Sequence, residues 1–186
     1  AGAGTALRLG RRDSRSLRVL DATVSAYAAM LDPVLQAGQQ APDFELAADD
    51  GATVRLSELR GKPVVLYFYP KDDTPGCTTQ ACGIRDSYGE FEEAGAVVLG
   101  VSPDSAATHV KFKEKFGLPF PLLADAEHEV SERYGVWGEK TYMGRTYMGV
   151  SRSTFVIAPD GAVAKALHGV KPATHADDVL SILADL

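Results

Sequence analysis

Hydrophobic and polar positions change period several times along the chain. From Ser16 onward the apolar residues Leu17, Leu20, Val24, Tyr27 and Leu31 fall three and four apart. That spacing draws one stripe on an α-helix and predicts a helix over about 14–31, begun near Asp13 or Ser14 and stopped before Pro33. After Ala41 short apolar runs take over, around Val54 and across 64–69, 97–101 and 121–124. They alternate with helical patterns that open near Gly76, Ser105 and Glu127, so right-handed crossovers and a parallel pair at the sheet centre are expected. The last third differs: Ser153–Ile157, the turn Pro159-Asp160-Gly161 and residues 162–167 read as an antiparallel hairpin, followed by a helix from about Thr174 to the end.

A mixed α/β sheet with a parallel βαβ half, an antiparallel hairpin half and flanking helices is the thioredoxin-like arrangement, and this is the fold class expected here. Composition agrees with one ordinary domain: 186 residues, 45% hydrophobic and 24% charged. Such a chain buries a core without a disulfide framework or a structural metal. The longest apolar run, Pro63 to Pro70, has the length of a buried strand rather than of a membrane span. A net charge of −6 argues against nucleic acid as a partner. The charge is uneven, however. Residues 1–31 hold five arginines against Asp13 and Asp21, a local +3. The chain therefore divides into an extension, 1–37, and a domain, 38–186. The extension suits an organellar transit segment, a dimerisation helix, a basic membrane-surface helix or, the favoured reading, an appended helix that packs on the domain or between molecules.

The two cysteines carry the candidate chemistry. They lie in Tyr69-Pro-Lys-Asp-Asp-Thr-Pro-Gly-Cys77-Thr-Thr-Gln-Ala-Cys82, directly after the most apolar strand and at the opening of the next helix. The unpaired N–H groups and the dipole of a helix N-terminus stabilise an anion, so Cys77 is expected to exist partly as thiolate. Cys82, inside the helix, has no such help. The plainer alternative is two small buried hydrophobes. A spacing of five is not the C-x-x-C of a thioredoxin, and no zinc or iron–sulfur set is present: His109, His128, His168 and His175 stand at no recognisable ligand spacing. A Cys-His hydrolase stays open, because its partner could be distant in sequence. Helix geometry adds a constraint. Residues five apart on an α-helix are about 8.6 Å between Cα atoms, whereas a disulfide needs about 7 Å or less, so bonding Cys77 to Cys82 would require the first turns to unwind.

Pro70-Lys-Asp-Asp-Thr74-Pro-Gly-Cys77 resembles the P-x-x-x-T-x-x-C signature of peroxiredoxins, and Gly76 to Cys82 resembles their bacterioferritin-comigratory or Q-type subgroup. Ala41-Pro-Asp-Phe-Glu-Leu, Gly61 to Pro70, Tyr134-Gly-Val-Trp-Gly-Glu-Lys and Arg152-Ser-Thr-Phe-Val-Ile are similar to family blocks in the same order, over about residues 38–186. The resemblance implies a thiol-dependent peroxidase without metal, flavin or haem. Cys77 would attack hydrogen peroxide or an organic hydroperoxide and become a sulfenic acid, Cys82 would resolve it as an intramolecular disulfide, and a thioredoxin or glutaredoxin would recycle it. Thr74 would bond the sulfur or the peroxide and also cap the helix; Pro70 would shield the thiolate; Gly76 would offer an unobstructed N–H; Arg152 would reach Cys77 from a neighbouring strand. Only the family block raises Arg152 above Arg85, Arg133 or Arg145.

Residues 137–149 contain Thr-Tyr-Met-Gly twice, and their Gly and aromatic content suits a surface loop: a plain connection is the favoured reading, and the rim of the active-site cleft or part of a reductase-docking surface are the functional alternatives. Trp137 is expected to report on the moving helix by its fluorescence. Two other functions suit the same fold, a thiol–disulfide oxidoreductase and a redox-regulated binding or chaperone protein. A chemistry that needs repeated reduction indicates the cytoplasm, with an organelle as the alternative. A monomer is expected by resemblance, and a dimer through the N-terminal helix is the alternative.

Overall fold

The computed structural model describes residues 35–186. The helix expected over 14–31, and with it nearly all of the extension, lies outside them. A seven-stranded mixed sheet organises the described residues in the order β2-β1-β5-β4-β3-β8-β9. These strands are β1 (Glu45–Ala48), β2 (Thr53–Arg55), β3 (Val64–Phe68), β4 (Val97–Ser102), β5 (Leu122–Ala124), β8 (Ser153–Ile157) and β9 (Val163–His168). The β3–β4 and β4–β5 pairs are parallel, and β3–β8 and β8–β9 are antiparallel. The helices are α1 (Pro75–Asp86), α2 (Tyr88–Glu93), α3 (Ala106–Phe116), α4 (Glu129–Arg133) and α5 (His175–Ala184). This is the thioredoxin-like mixed sheet that the strand–helix alternation implies.

Strand β3 shows why its sequence is apolar at every position. Val64, Leu66 and Phe68 enter a core on one face with Phe44, Tyr134 and Phe155. Val65 and Tyr67, with Tyr69 just beyond, enter a second core on the other face with Cys77, Ile84, Phe120 and Val179. A strand buried on both faces cannot alternate. Tyr67 is wide enough to need a gap in the neighbouring strand. Gly100 faces it across the parallel pair, and a Cβ there would sit 2.7 Å from the Tyr67 hydroxyl. Helix α1 buries Cys77, Gln80, Ala81 and Ile84, a spacing of three, one and three that lays one stripe on the sheet. Beside it α5 buries Ala176, Val179 and Leu183 in the same core.

Residues 137–149 are not the expected loop. They form a two-stranded antiparallel ribbon, β6 (Trp137–Tyr142) with β7 (Arg145–Val150), in register from Trp137 opposite Val150 to Tyr142 opposite Arg145. The turn is Met143-Gly144, both at positive φ (50° and 75°), which is the two-residue hairpin geometry whose twist matches its strands. Methionine in the first of those positions masked the turn, because the residues that ordinarily announce it are Asn and Asp.

Candidate active site

Thr74 is the N-cap of α1 and Pro75 its first helical residue. Proline suits that position because its missing N–H would have no partner there, and its fixed φ is already helical. The N–H groups of Gly76 and Cys77 in the first turn have no intrahelical acceptor, and they present positive charge where the Cys77 side chain begins. Cys77 is buried and Cys82 half-buried, and both are free thiols. The Thr74 hydroxyl donates to the Lys71 carbonyl at 3.1 Å and makes no side-chain cap. Thr74 thus holds the expected N-cap position, but its side chain makes neither the capping bond nor a bond to the sulfur, because a backbone carbonyl in the preceding turn takes the hydroxyl.

Arg152 approaches from the sheet, just before β8. Its Nη2 donates to Cys77 Sγ at 3.2 Å, and its Nη1 donates to Gln80 Oε1. Gly76 makes room for this, since a Cβ there would lie 3.3 Å from Arg152 Nη2. A guanidinium has no acceptor, so the Gln80 atom facing it is the carbonyl oxygen. The Gln80 amide nitrogen therefore points the other way, to His175 Nδ1 at 3.1 Å. An amide nitrogen only donates, which makes Nδ1 an acceptor and leaves the imidazole proton on Nε2, 2.8 Å from Thr154 Oγ1. Burial, with the Arg152 charge behind it, lowers the His175 pKa to about 4, in keeping with a neutral ring. Arg152 thus donates in two directions, through Nη2 to the sulfur and through Nη1 into a relay in which Gln80 donates to His175 and His175 to Thr154 of the sheet.

A second buried group holds the segment that leads into α1. Tyr69 donates its hydroxyl to Asp72 Oδ1 at 2.7 Å, and His109 of α3 faces Asp72 Oδ2 with Nδ1 at 2.7 Å and the Leu123 carbonyl with Nε2 at 3.1 Å. The Asp72 amide donates to Asp104 Oδ2 at 2.8 Å. Arg152 also lines an open cavity of about 460 Å³, together with Lys140, Ser153, His168 and Val170. The arrangement assembles a buried thiol at a helix N-terminus, a guanidinium bonded to it and a second thiol in the same helix.

Residues 37–166 match the model of the AhpC/TSA family. Over 152 residues the chain is 52% identical to "Peroxiredoxin Bcp" of Bacillus subtilis, covering 82% of this chain and 97% of the relative. A solved structure of Xanthomonas campestris peroxiredoxin Q superposes with a TM-score of 0.75 at 40% identity, covering 80% of this chain and 97% of that one. A ligand-complex structure of the Xanthomonas campestris bacterioferritin comigratory protein, concerned with its alkyl peroxide reduction activity, does so with a TM-score of 0.75 at 39% identity, covering 80% and 98%. The chain belongs to the AhpC/TSA family and is a peroxiredoxin, a thiol-dependent peroxidase.

Within this peroxiredoxin the structure brings Arg152, Gly76 and Cys77 together and puts Cys82 on the same helix. Pro70 is exposed at the exit from β3. Trp137 stacks on His128, with ring centroids 3.7 Å apart, and packs with the core on the sheet face opposite α1; it is not brought to the helix it was expected to monitor. Gln80 and His175 escaped the sequence reading. Gln80 stood inside the motif, three residues after Cys77, and its position on the buried stripe of an amphipathic helix is the signal that could have found it. His175 had none, since its partners lie 95 and 21 residues away. Among the described residues no group of three or more His, Cys, Asp or Glu is placed to hold a metal ion, and no helix is long and apolar enough to cross a membrane.

Proposed function

We propose that this peroxiredoxin reduces hydrogen peroxide and organic hydroperoxides through Cys77, with Cys82 as the resolving thiol and a thioredoxin-type dithiol as reductant. The Cys77 thiolate attacks the terminal oxygen of the hydroperoxide. The O–O bond breaks, sulfur is oxidised to the sulfenic acid, and the alcohol, or water from hydrogen peroxide, leaves with one proton. The Cys82 thiolate then attacks Sγ of Cys77, forming the S–S bond and breaking S–O, with the oxygen leaving as water after taking a proton. A dithiol returns both cysteines to thiols by exchange and leaves as its own disulfide. Repeated reduction assigns the enzyme to a reducing compartment such as the cytoplasm.

The observation that carries this reading is the 3.2 Å donation from Arg152 to Cys77 Sγ. A guanidinium whose donors are already aimed at the sulfur stabilises the attacking anion and then the charge that moves onto the peroxide oxygens, with little reorganisation. Gly76 leaves it room, and Thr74 and Pro70 shape the approach to the sulfur. The alkyl peroxide reduction activity of the Xanthomonas relative supports organic hydroperoxides as substrates.

Stopped-flow mixing of reduced protein with peroxide, followed by thioredoxin, its reductase and NADPH, tests the whole cycle. Cys77→Ser is expected to abolish peroxide consumption, and Cys82→Ser to give one turnover and then depend on an added thiol. Equal loss of the first turnover in both variants would overturn the assignment. Turnover of protein disulfides without turnover of peroxide would favour a thiol–disulfide oxidoreductase.

A further inference from the structure

Each thiol of α1 has a guanidinium of its own. Arg152 comes to Cys77 from the sheet, and Arg85 comes to Cys82 from the helix itself, three residues further on and therefore on the same face. Arg85 is fixed on two sides. Its Nη1 donates to the Phe116 carbonyl at 2.7 Å, and its Nε and Nη2 donate to Asp86 Oδ1 at 2.9 and 2.7 Å. Phe116 is the last residue of α3, and a carbonyl there has no donor within its own helix, so the guanidinium fills a place that α3 leaves open. A guanidinium has five N–H donors, and these bonds use three of them. The group also meets the resolving thiol. The hydrogen bond to Asp86 raises the Arg85 pKa, burial opposes it, and the charge of Cys82 and a hydrogen bond with its side chain add to the rise.

We infer that Arg85 is the positioning residue of the resolving step, holding the Cys82 sulfur and its negative charge in place for attack on oxidised Cys77. The inference rests on the proposed role of Cys82 as resolving thiol and names the group that serves it. In that step the Cys82 thiolate forms the S–S bond, the S–O bond of the sulfenic acid breaks, and the oxygen leaves as water with a proton from solvent. Closing the bond requires the first turns of α1 to open, so Cys77 leaves Arg152 and travels. Phe116 and Asp86 lie outside those turns, and a guanidinium tied to both stays where Cys82 waits. Its positive charge favours the attacking anion, and its fixed position keeps the attack intramolecular in fact as well as in sequence. The surrounding elements leave this task to Arg85. Lys113 and Lys115 of α3 are paired with Asp49 and Asp73. β3 brings the Tyr67 phenol, which burial keeps neutral, and α5 brings the neutral His175. α2 brings Tyr88 and the exposed Glu90, Glu92 and Glu93.

The test mixes reduced protein with one equivalent of hydrogen peroxide and follows two steps by rapid-quench mass spectrometry, formation of the Cys77 sulfenic acid and its conversion to the disulfide. In Arg85→Gln the first step is expected to keep its rate and the second to slow about fivefold at pH 7, with the gap closing by about pH 9.5, where the thiol ionises without a neighbouring cation. Arg85→Lys, which keeps the charge, is expected to recover most of the rate. A second step as fast in Arg85→Gln as in wild type at pH 7 overturns the inference. A slowing of the same size at every pH also overturns it, because a residue that merely supports the helix would act without regard to the charge on Cys82. So does a first step slowed as much as the second, which would make Arg85 a general support of the fold. A wild-type protein that accumulates sulfenic acid and forms no Cys77–Cys82 disulfide removes the resolving role of Cys82, and this inference with it, while leaving Cys77 as the peroxide-reactive thiol.

Discussion

At the scale of single residues, the sulfur and its guanidinium are legible in the sequence while the atoms that aim the guanidinium are not. The motif around Cys77 and the Arg-Ser-Thr-Phe block are local strings. The Gln80–His175–Thr154 chain is assembled from α1, α5 and β8, and no spacing reports a hydrogen bond formed across 95 residues. Its chemistry is nevertheless strict. Were the His175 Nδ1 protonated, both it and the Gln80 amide nitrogen would be donors facing each other, and relief by flipping the Gln80 amide would turn an NH2 toward Arg152. The neutral ring therefore sets the orientation of Gln80, and Gln80 that of Arg152. The sign of the pH dependence follows. The His175 pKa falls from 6.5 unfolded to about 4 folded, so the unfolded chain takes up a proton first as pH drops. The stability tied to the neutral ring is fully present above about 6.5, is lost as pH falls from there to about 4, and amounts to about 3 kcal/mol across that window. Urea denaturation at pH 7 and pH 4.5 measures it. His175→Asn is expected to be less stable at pH 7 and to lose clearly less on acidification than wild type. An equal loss in both proteins would show that the ring is not what titrates.

At the scale of elements, the parallel centre of the sheet and the C-terminal hairpin are readable because each strand carries its own pattern: β3 uniformly apolar, and β8 and β9 separated by Pro-Asp-Gly. The β6–β7 ribbon is hidden because Trp137, Gly138, Glu139 and Lys140 offer no alternation of buried and exposed apolar residues, and three of its large apolar side chains, Met143, Tyr147 and Met148, face solvent. Strand pairing there comes from backbone bonds and a Met-Gly turn, which hydrophobic periodicity does not register. Helix α1 is readable as a helix, and that reading has a consequence for turnover. Cys77 and Cys82 both lie within Pro75–Asp86, five residues apart, which separates their Cα atoms by about 8.6 Å and turns their Cβ vectors about 140° from each other. A disulfide needs about 7 Å or less and facing vectors. The first turns of α1 must therefore open before the bond closes, which breaks the contact of Cys77 with Arg152 and lifts part of the buried stripe from the sheet. Amide hydrogen exchange over residues 76–86 is expected to accelerate at least about tenfold on oxidation, while β3 and β4 stay protected. Equal protection of that segment in the reduced and oxidised proteins would rule out the opening.

At the scale of the whole molecule, a helix that would open in each cycle of the proposed Cys77–Cys82 disulfide needs a frame that does not, and the segment that leads into it is anchored by a buried pair. Asp72 (5% exposed) and His109 (fully buried) join the exit of β3 to α3 and, through the Leu123 carbonyl, to β5. Nothing in the sequence marks this pair, because its members are 37 residues apart and each resembles an ordinary polar residue. Its hydrogen bonds predict an asymmetry between two substitutions. Asp72→Asn keeps every bond: the Asn oxygen accepts from Tyr69, its amide nitrogen donates to His109 Nδ1, and the Nε2 proton still reaches the Leu123 carbonyl, all without charge. His109→Leu removes two bonds at once and leaves a buried carboxyl oxygen and the Leu123 carbonyl without donors. Leaving a buried polar group without its hydrogen-bond partner costs about 1 to 3 kcal/mol, and here two groups lose theirs, whereas an isosteric replacement that satisfies the same groups costs about 1 kcal/mol or less. Urea denaturation of the reduced protein should therefore rank wild type and Asp72→Asn close together and His109→Leu at least about 2 kcal/mol below both. Peroxide oxidation of Cys77 should slow in His109→Leu, as the turn from Tyr69 to Thr74 loses its anchor and the N-terminus of α1 its fixed position. If Asp72→Asn proves as damaging as His109→Leu, the charge itself and not the satisfied geometry holds the frame.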